Sequence, residues 1–155
     1  MKIQIDWGEP LSLKLVSRQG AAYQVDLNAL PADPGIYVMG RMWAKGFEAL
    51  YVGKARNIRQ RVKGQLNNLR LMQHLRGSKT GKRVIVAGSI DTRQGQQIDR
   101  VLAIAERALI RHFLSDGDNL VNISGTTLRQ HEVESTQRPR WFVPSVVFLE
   151  KGGRL

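Results

Sequence analysis

The chain has 155 residues, 42% of them apolar, no cysteine, and a net charge of +11 from 24 Lys and Arg against 13 Asp and Glu. That composition suits a globular protein with a real core, and the lack of cysteine excludes disulfides, thiolate metal sites and cysteine nucleophiles. No apolar run approaches the roughly 18–20 residues of a membrane span, and "MKIQIDWGEP" lacks the continuous apolar stretch of a secretory signal, so a soluble cytoplasmic protein with a single domain, 1–155, is expected.

Residues 1–33 read as short strands, because "KIQID", "LSLKLV" and "YQVDL" alternate polar and apolar residues. "LPADPG" is a loop. "GIYVM" and "ALYVG" are rich in β-branched and aromatic residues and read as strands. The glycine-bearing connector "GRMWAKGFE" between them reads as a long hairpin loop. Residues 57–69 read as a helix with Asn57 as N-cap and Ile58, Val62, Leu66 and Leu69 facing the core. "LRLMQHLRG" is a second helical piece that stops at Gly77. "RVIVAGSI" reads as a third central strand. Residues 96–114 carry the strongest helical pattern, with Ile98, Val101, Leu102, Ala105, Ala108, Leu109 and His112 or Phe113 on one stripe. After "SDGDN" and a polar stretch, 126–140, "WFVPSVVFLE" reads as a late strand suited to pairing with the N-terminal ones, with Trp141 and Phe142 at its start. The order implies a small α+β domain with a mainly antiparallel central sheet flanked by helices.

Charge is unevenly placed. Between Glu48 and Asp91 no acidic residue occurs, while Lys54, Arg56, Arg59, Arg61, Lys63, Arg70, Arg76, Lys79, Lys82 and Arg83 all fall in that span. Such a block creates a strong positive field, and nucleic acid is its commonest partner. A merely soluble surface, or an acidic protein or lipid partner, would use the same charge. At about 100° per residue, Arg56, Arg59 and Lys63 share one outer side of the first helix, whereas Arg61 falls beside the Ile58 and Val62 stripe at the core border. Glu106 takes a similar border position on the long helix. A partly buried carboxylate needs a partner, and a bound metal and Arg61 are the two candidates.

These residues resemble the GIY-YIG nuclease family. "GIY" stands at 35–37, "YVG" at 51–53, Arg61 ten residues after Tyr51, "AERALI" with Glu106 at 105–110, and "LVN" with Asn122 at 120–122. The resemblance covers 34–123, leaving 1–33 and 124–155 as extensions, and "YVGKA" has the form carried by the excision-repair branch of the family. The chain is too short for that branch's further domains, which implies a stand-alone relative. Three features depart from the family pattern. The interval from Tyr37 to Tyr51 is long, Gln65 stands where many members have histidine (the excision-repair branch also lacks it), and "SDGDN" looks inserted.

The resemblance implies a divalent-metal-dependent endonuclease that hydrolyses DNA phosphodiesters, with RNA left open as a substrate and the protein partner or oligomer unassigned. Glu106 would hold Mg²⁺, or Mn²⁺ in its place, in a site that keeps most of the ion's waters. Arg61 would fork two N–H bonds onto phosphate oxygens. Tyr37 would be the base or positioner of the attacking water, and Tyr51 a second phosphate or water contact. Lys54 would lower the pKa of a phenol or contact phosphate. Gly53 would let the substrate backbone approach, and Arg56, Arg59, Lys63 and Arg70 would contact nucleic acid. Asn122 would fix the end of the glutamate helix. The histidines at 74, 112 and 131 match no metal spacing. The competing reading is a non-catalytic basic nucleic-acid-binding module that keeps the fold; a protein-binding accessory is a third.

Overall fold

The chain is described by a computed structural model at residues 1–17, 22–121, 129–137, 139, 141 and 146–151. Its N-terminal part forms four short strands: β1 (Asp6–Trp7), β2 (Leu11–Ser12), β3 (Lys14–Ser17) and β4 (Ala22–Gln24). A 3₁₀ turn at Leu27–Ala29 leads to β5 (Gly35–Trp43), β6 (Gly46–Ala55), α1 (Ile58–Gln65), α2 (Leu69–Gly77), β7 (Lys82–Ser89) and α3 (Ile98–Ser115). Beyond these lie β8 (Arg129–Glu134) and β9 (Val146–Lys151). The architecture is α+β, and the strand pairs among the described residues are antiparallel. The main sheet runs β1-β7-β5-β6 with β2 also on β7, so β5 is central and β6 is an edge. Among the described residues no helix is long and apolar enough to cross a membrane.

The long hairpin loop expected between the two tyrosine strands is instead strand. Pairing runs from Gly35↔Ala55 out to Trp43↔Gly46, leaving only Ala44 and Lys45 as the turn. The glycines there clear space for aromatic rings: a side chain on Gly40 would meet Phe47, and one on Gly46 would meet Trp43. Arg41 holds the outer end, with its Nε 2.8 Å from Glu48 Oε1 and its guanidinium 4.3 Å from the Trp43 ring centroid. The register slips once, between Met39↔Tyr51 and Gly40↔Ala49, so Leu50 is the extra residue of a β-bulge. Ala49 and Val52 therefore face one side of the sheet, and consecutive Leu50 and Tyr51 face the other.

Each face builds its own apolar cluster. Tyr37, Met39, Leu50, Ala55 and Ile85 pack with Ile58 and Val62 of α1, Leu71, Met72 and Leu75 of α2, and Leu13 and Tyr23 from the N-terminal strands. Ile36, Val38, Ala49 and Val52 pack with Val101, Leu102, Ala105 and Ile110 of α3. The sheet is thus sandwiched between α1 and α2 on one side and α3 on the other.

Local differences from the sequence pattern have local causes. The first helix ends at Gln65 rather than 69, and Asn68 starts a new one by accepting from the Leu71 N–H at 3.2 Å. Leu69 becomes the first residue of α2 and is 59% exposed instead of facing the core. On α3, Ala108 is exposed and Ile110 is buried, sharing its cluster with Leu120 from beyond the helix. "SDGDN" ends that helix: Gly117 adopts φ +83°, and the N–H groups of Gly117 and Asp118 bond back to the carbonyls of Leu114 and Phe113, each at 3.0 Å. The Asp118 carboxylate then accepts from the Ala49 N–H at 2.9 Å, next to the bulge, and burial pushes its pKa up.

Among the described residues the late strand does not pair with the N-terminal ones. β9 pairs with β8, which arises from the stretch that looked merely polar. Trp141 is 85% exposed and precedes the strand rather than beginning it. Phe142 and Asn122 lie outside the described residues.

Arg83 joins β7 to α2. Its guanidinium donates to the carbonyls of Leu75, Ser78 and Gly81 at 2.6, 2.9 and 2.7 Å, serving the C-terminal end of a helix whose carbonyls lack intrahelical partners. Arg83→Ala is expected to lower stability by about 1–3 kcal/mol. This would appear as a lower urea midpoint at unchanged slope; an unchanged midpoint would contradict the assignment.

Candidate active site

An edge strand shows both faces to one solvent boundary. On β6, Tyr51 points toward α1 and Lys54 toward α3, yet both line the same cleft of about 1030 Å³. Arg61 and Gln65 enter it from α1, and Glu106 enters from α3. Four of the five residues expected to be catalytic therefore meet there, and the fifth, Tyr37, lies directly behind Tyr51. The two phenol rings have centroids 5.9 Å apart and are tilted by 35°.

Tyr37 is fully buried, and among the described residues its hydroxyl, close to Tyr51 and Arg61, meets no partner in hydrogen-bond geometry. Burial pushes its pKa well above the ordinary phenol value, and the neighbouring Tyr51 raises it further; the Arg61 charge acts the other way and is outweighed. The cation that acts on this phenol is Arg61 and not, as expected, Lys54, and it does not offset the burial. The volume that a side chain on Gly53 would need is filled by the Tyr37 ring, because register places Tyr37 opposite Gly53. The glycine is required by a tyrosine of the protein itself.

Arg61 is exposed and lines the cleft, and its charge acts on the buried Tyr37 hydroxyl. No carboxylate is paired with it among the described residues. Tyr51 is half-buried, and its hydroxyl accepts from Gln65 Nε2 at 3.1 Å.

Glu106, with 19% of its side chain exposed, is paired with a lysine and not with Arg61. Its Oε2 lies 3.1 Å from Lys54 Nζ. Periodicity on one helix could not reveal this, since the lysine comes from the facing strand. The same limit explains two other differences. Arg56 forms a bidentate pair with Asp99 at 2.7 and 2.5 Å. That hydrogen bonding raises the arginine pKa and holds the Asp99 carboxyl below its usual range. Arg59 donates to the Leu30 carbonyl through Nε at 3.0 Å and through NH2 at 2.8 Å, clamping the loop before β5. Neither arginine is left to nucleic acid alone, while Lys63 and Arg70 are exposed on α1 and α2. Gln65, Asn68 and Asp99 belong to the cleft and were not singled out for it by sequence; only the position of Gln65, four after Arg61, carried a signal.

Among the described residues no three His, Asp or Glu side chains gather as a metal cage. Glu106 instead offers one carboxylate in an open cleft, which fits a hard cation that keeps most of its water. The Lys54 ammonium stands in for such a cation at that carboxylate and is 45% exposed, so it can turn toward solvent.

Fold and site together define an α+β domain with a two-faced edge strand, whose cleft combines phenol, guanidinium, ammonium and carboxylate. No family model matches the chain, and no solved structure matches it. A stretch of 38 residues, 24% of the chain, is 53% identical to the UvrABC system protein C of Thermus thermophilus. That likeness covers 6% of the length of the relative, and it supports a link to that protein over this stretch.

The buried phenol makes a pH prediction. Below about pH 10 Tyr37 is protonated in both folded and unfolded chains. Above it the unfolded chain releases a proton that the folded chain keeps, so stability falls as pH rises. Tyr37→Phe should make this fall shallower in unfolding curves between about pH 9 and 11; identical slopes would contradict the burial.

Proposed function

We propose that this chain is a divalent-metal-dependent endonuclease that hydrolyses DNA phosphodiester bonds. One observation carries the reading: Tyr51 and Lys54 of β6, Arg61 of α1 and Glu106 of α3 line a single cleft with Tyr37 behind them. The likeness to UvrABC system protein C and the acid-free basic span support it.

The Arg61 guanidinium, with no competing carboxylate among the described residues, is placed to fork onto two oxygens of one phosphate and to stabilise charge that grows there as water attacks phosphorus. Tyr51 is the phenol that reaches the cleft. Tyr37, held protonated, backs it and fixes its ring position. Lys54 turns from Glu106 to a phosphate oxygen, which frees the carboxylate. Glu106 would then hold Mg²⁺ or Mn²⁺, and such an ion supplies charge neutralisation and help for the leaving oxygen. Lys63 and Arg70, exposed on the helices beside the cleft, would follow the neighbouring phosphates.

The Lys54–Glu106 pair also favours a second reading, a binding module in which the ammonium permanently closes the carboxylate. Cleavage separates the two. The purified chain should nick supercoiled plasmid with Mg²⁺ and stop on addition of chelator. Arg61→Ala and Glu106→Gln should each lower the rate by at least about a hundredfold at an unchanged unfolding midpoint. Salt-sensitive DNA binding without cleavage would establish the module instead, and cutting of RNA in place of DNA would reassign the substrate.

A further inference from the structure

The hydrogen bonds around Tyr51 form a chain whose direction is set at its far end. The Leu71 backbone N–H can only donate, so the Asn68 atom it meets at 3.2 Å is Oδ1. Asn68 Nδ2 is left facing Gln65, whose Oε1 accepts at 3.2 Å. Gln65 therefore presents Nε2 to Tyr51, and the phenol oxygen accepts at 3.1 Å. A phenol that accepts along this line has its own proton directed elsewhere. Tyr37 does not take it, since among the described residues the Tyr37 hydroxyl stands in hydrogen-bond geometry to no partner. The free direction is the cleft that Tyr51 lines.

From this chain we infer that Gln65 is a positioning residue, which holds Tyr51 as a hydrogen-bond donor toward a substrate phosphate oxygen, and that Asn68 sets the orientation of Gln65. The inference rests on the reading that the cleft takes a phosphodiester. It gives the break between α1 and α2 a purpose. An uninterrupted helix would have no N-cap at Asn68, and without the Leu71 N–H to satisfy, the Asn68 amide could turn over and release Gln65 to do the same. The capping bond thus transmits backbone polarity through two amides to a phenol at the cleft.

The substitutions that test this separate polarity from packing. Gln65→Glu keeps the size and still accepts from Asn68, but offers no N–H to Tyr51. The Tyr51 proton then turns to the new carboxylate and away from substrate. The expected result is about a tenfold lower kcat, with KM changed by less than about twofold. Gln65→His restores a ring N–H donor and should recover most of the loss. Asn68→Asp keeps the cap on Leu71 but removes the donor to Gln65, and should give an intermediate kcat at the wild-type unfolding midpoint. A merely structural glutamine would lose stability in Gln65→Glu without this ordering of rates. Wild-type kcat in Gln65→Glu would overturn the inference.

A second measurement does not depend on turnover. In ¹⁵N spectra, Tyr51→Phe should move the Gln65 side-chain amide signals and leave the backbone signals of β7 in place; unmoved amide signals would overturn the inference. Failure of the wild-type chain to cut any DNA would instead remove the nuclease reading, and the amide spectra alone would then decide whether Gln65 holds Tyr51.

Discussion

Strand β6 lies at the edge of the sheet, and its side chains alternate between two helical layers that would otherwise never share a surface. The bulge at Leu50 sets the phase of that alternation: Tyr51 goes to the α1 side and Lys54 to the α3 side. A shift of one residue would exchange the two faces. Arg61 would then lose Tyr51 from its side of the sheet, and Glu106 would lose Lys54. Two features protect the phase. Asp118 ties down the Ala49 N–H beside the bulge, and the Tyr37 ring fits only where its cross-strand neighbour is a glycine.

The acid-free block serves structure as much as it serves a partner. Arg59 and Arg83 are turned onto backbone carbonyls, where a guanidinium satisfies several acceptors that the fold would otherwise leave exposed or unpaired. Arg56 and Lys54 find their carboxylates on α3, outside the block. The absence of acids within a segment therefore says little about the neighbours its cations acquire on folding. Arg61 differs from these four, with no carboxylate paired to it among the described residues while it faces the cleft. Its charge also faces the raised pKa of Tyr37, where burial outweighs it.

Much of the fold was legible in the sequence, because β-branched runs and a 3.6-residue stripe report burial directly. Strands β5, β6 and β7, the Asn57 cap and helix α3 were visible in this way. The hairpin was not. Gly40 and Gly46 look like loop residues, yet each makes room for a ring from the chain around them, and a linear pattern does not encode that contact. Strand β8, "RQHEVE", carries too little apolar alternation to stand out. Leu69 continued the helical stripe, but the Asn68 cap outweighed it. In the site, the members could be named from ordered motifs. Their pairings could not, since Lys54 with Glu106 and Gln65 with Tyr51 are decided by which strand face meets which helix.

Whether both faces of the edge strand grip one phosphate can be read by titrating the ¹⁵N,¹³C-labelled chain with a short phosphorothioate duplex that resists cleavage, and following side-chain resonances. Arg61 and Gln65 on one side, and Lys54 and Glu106 on the other, are expected to move together with a single binding constant, as the Lys54–Glu106 pair opens. Shifts confined to α1 and α2, with Lys54 and Glu106 unmoved at saturation, would contradict a grip by both faces.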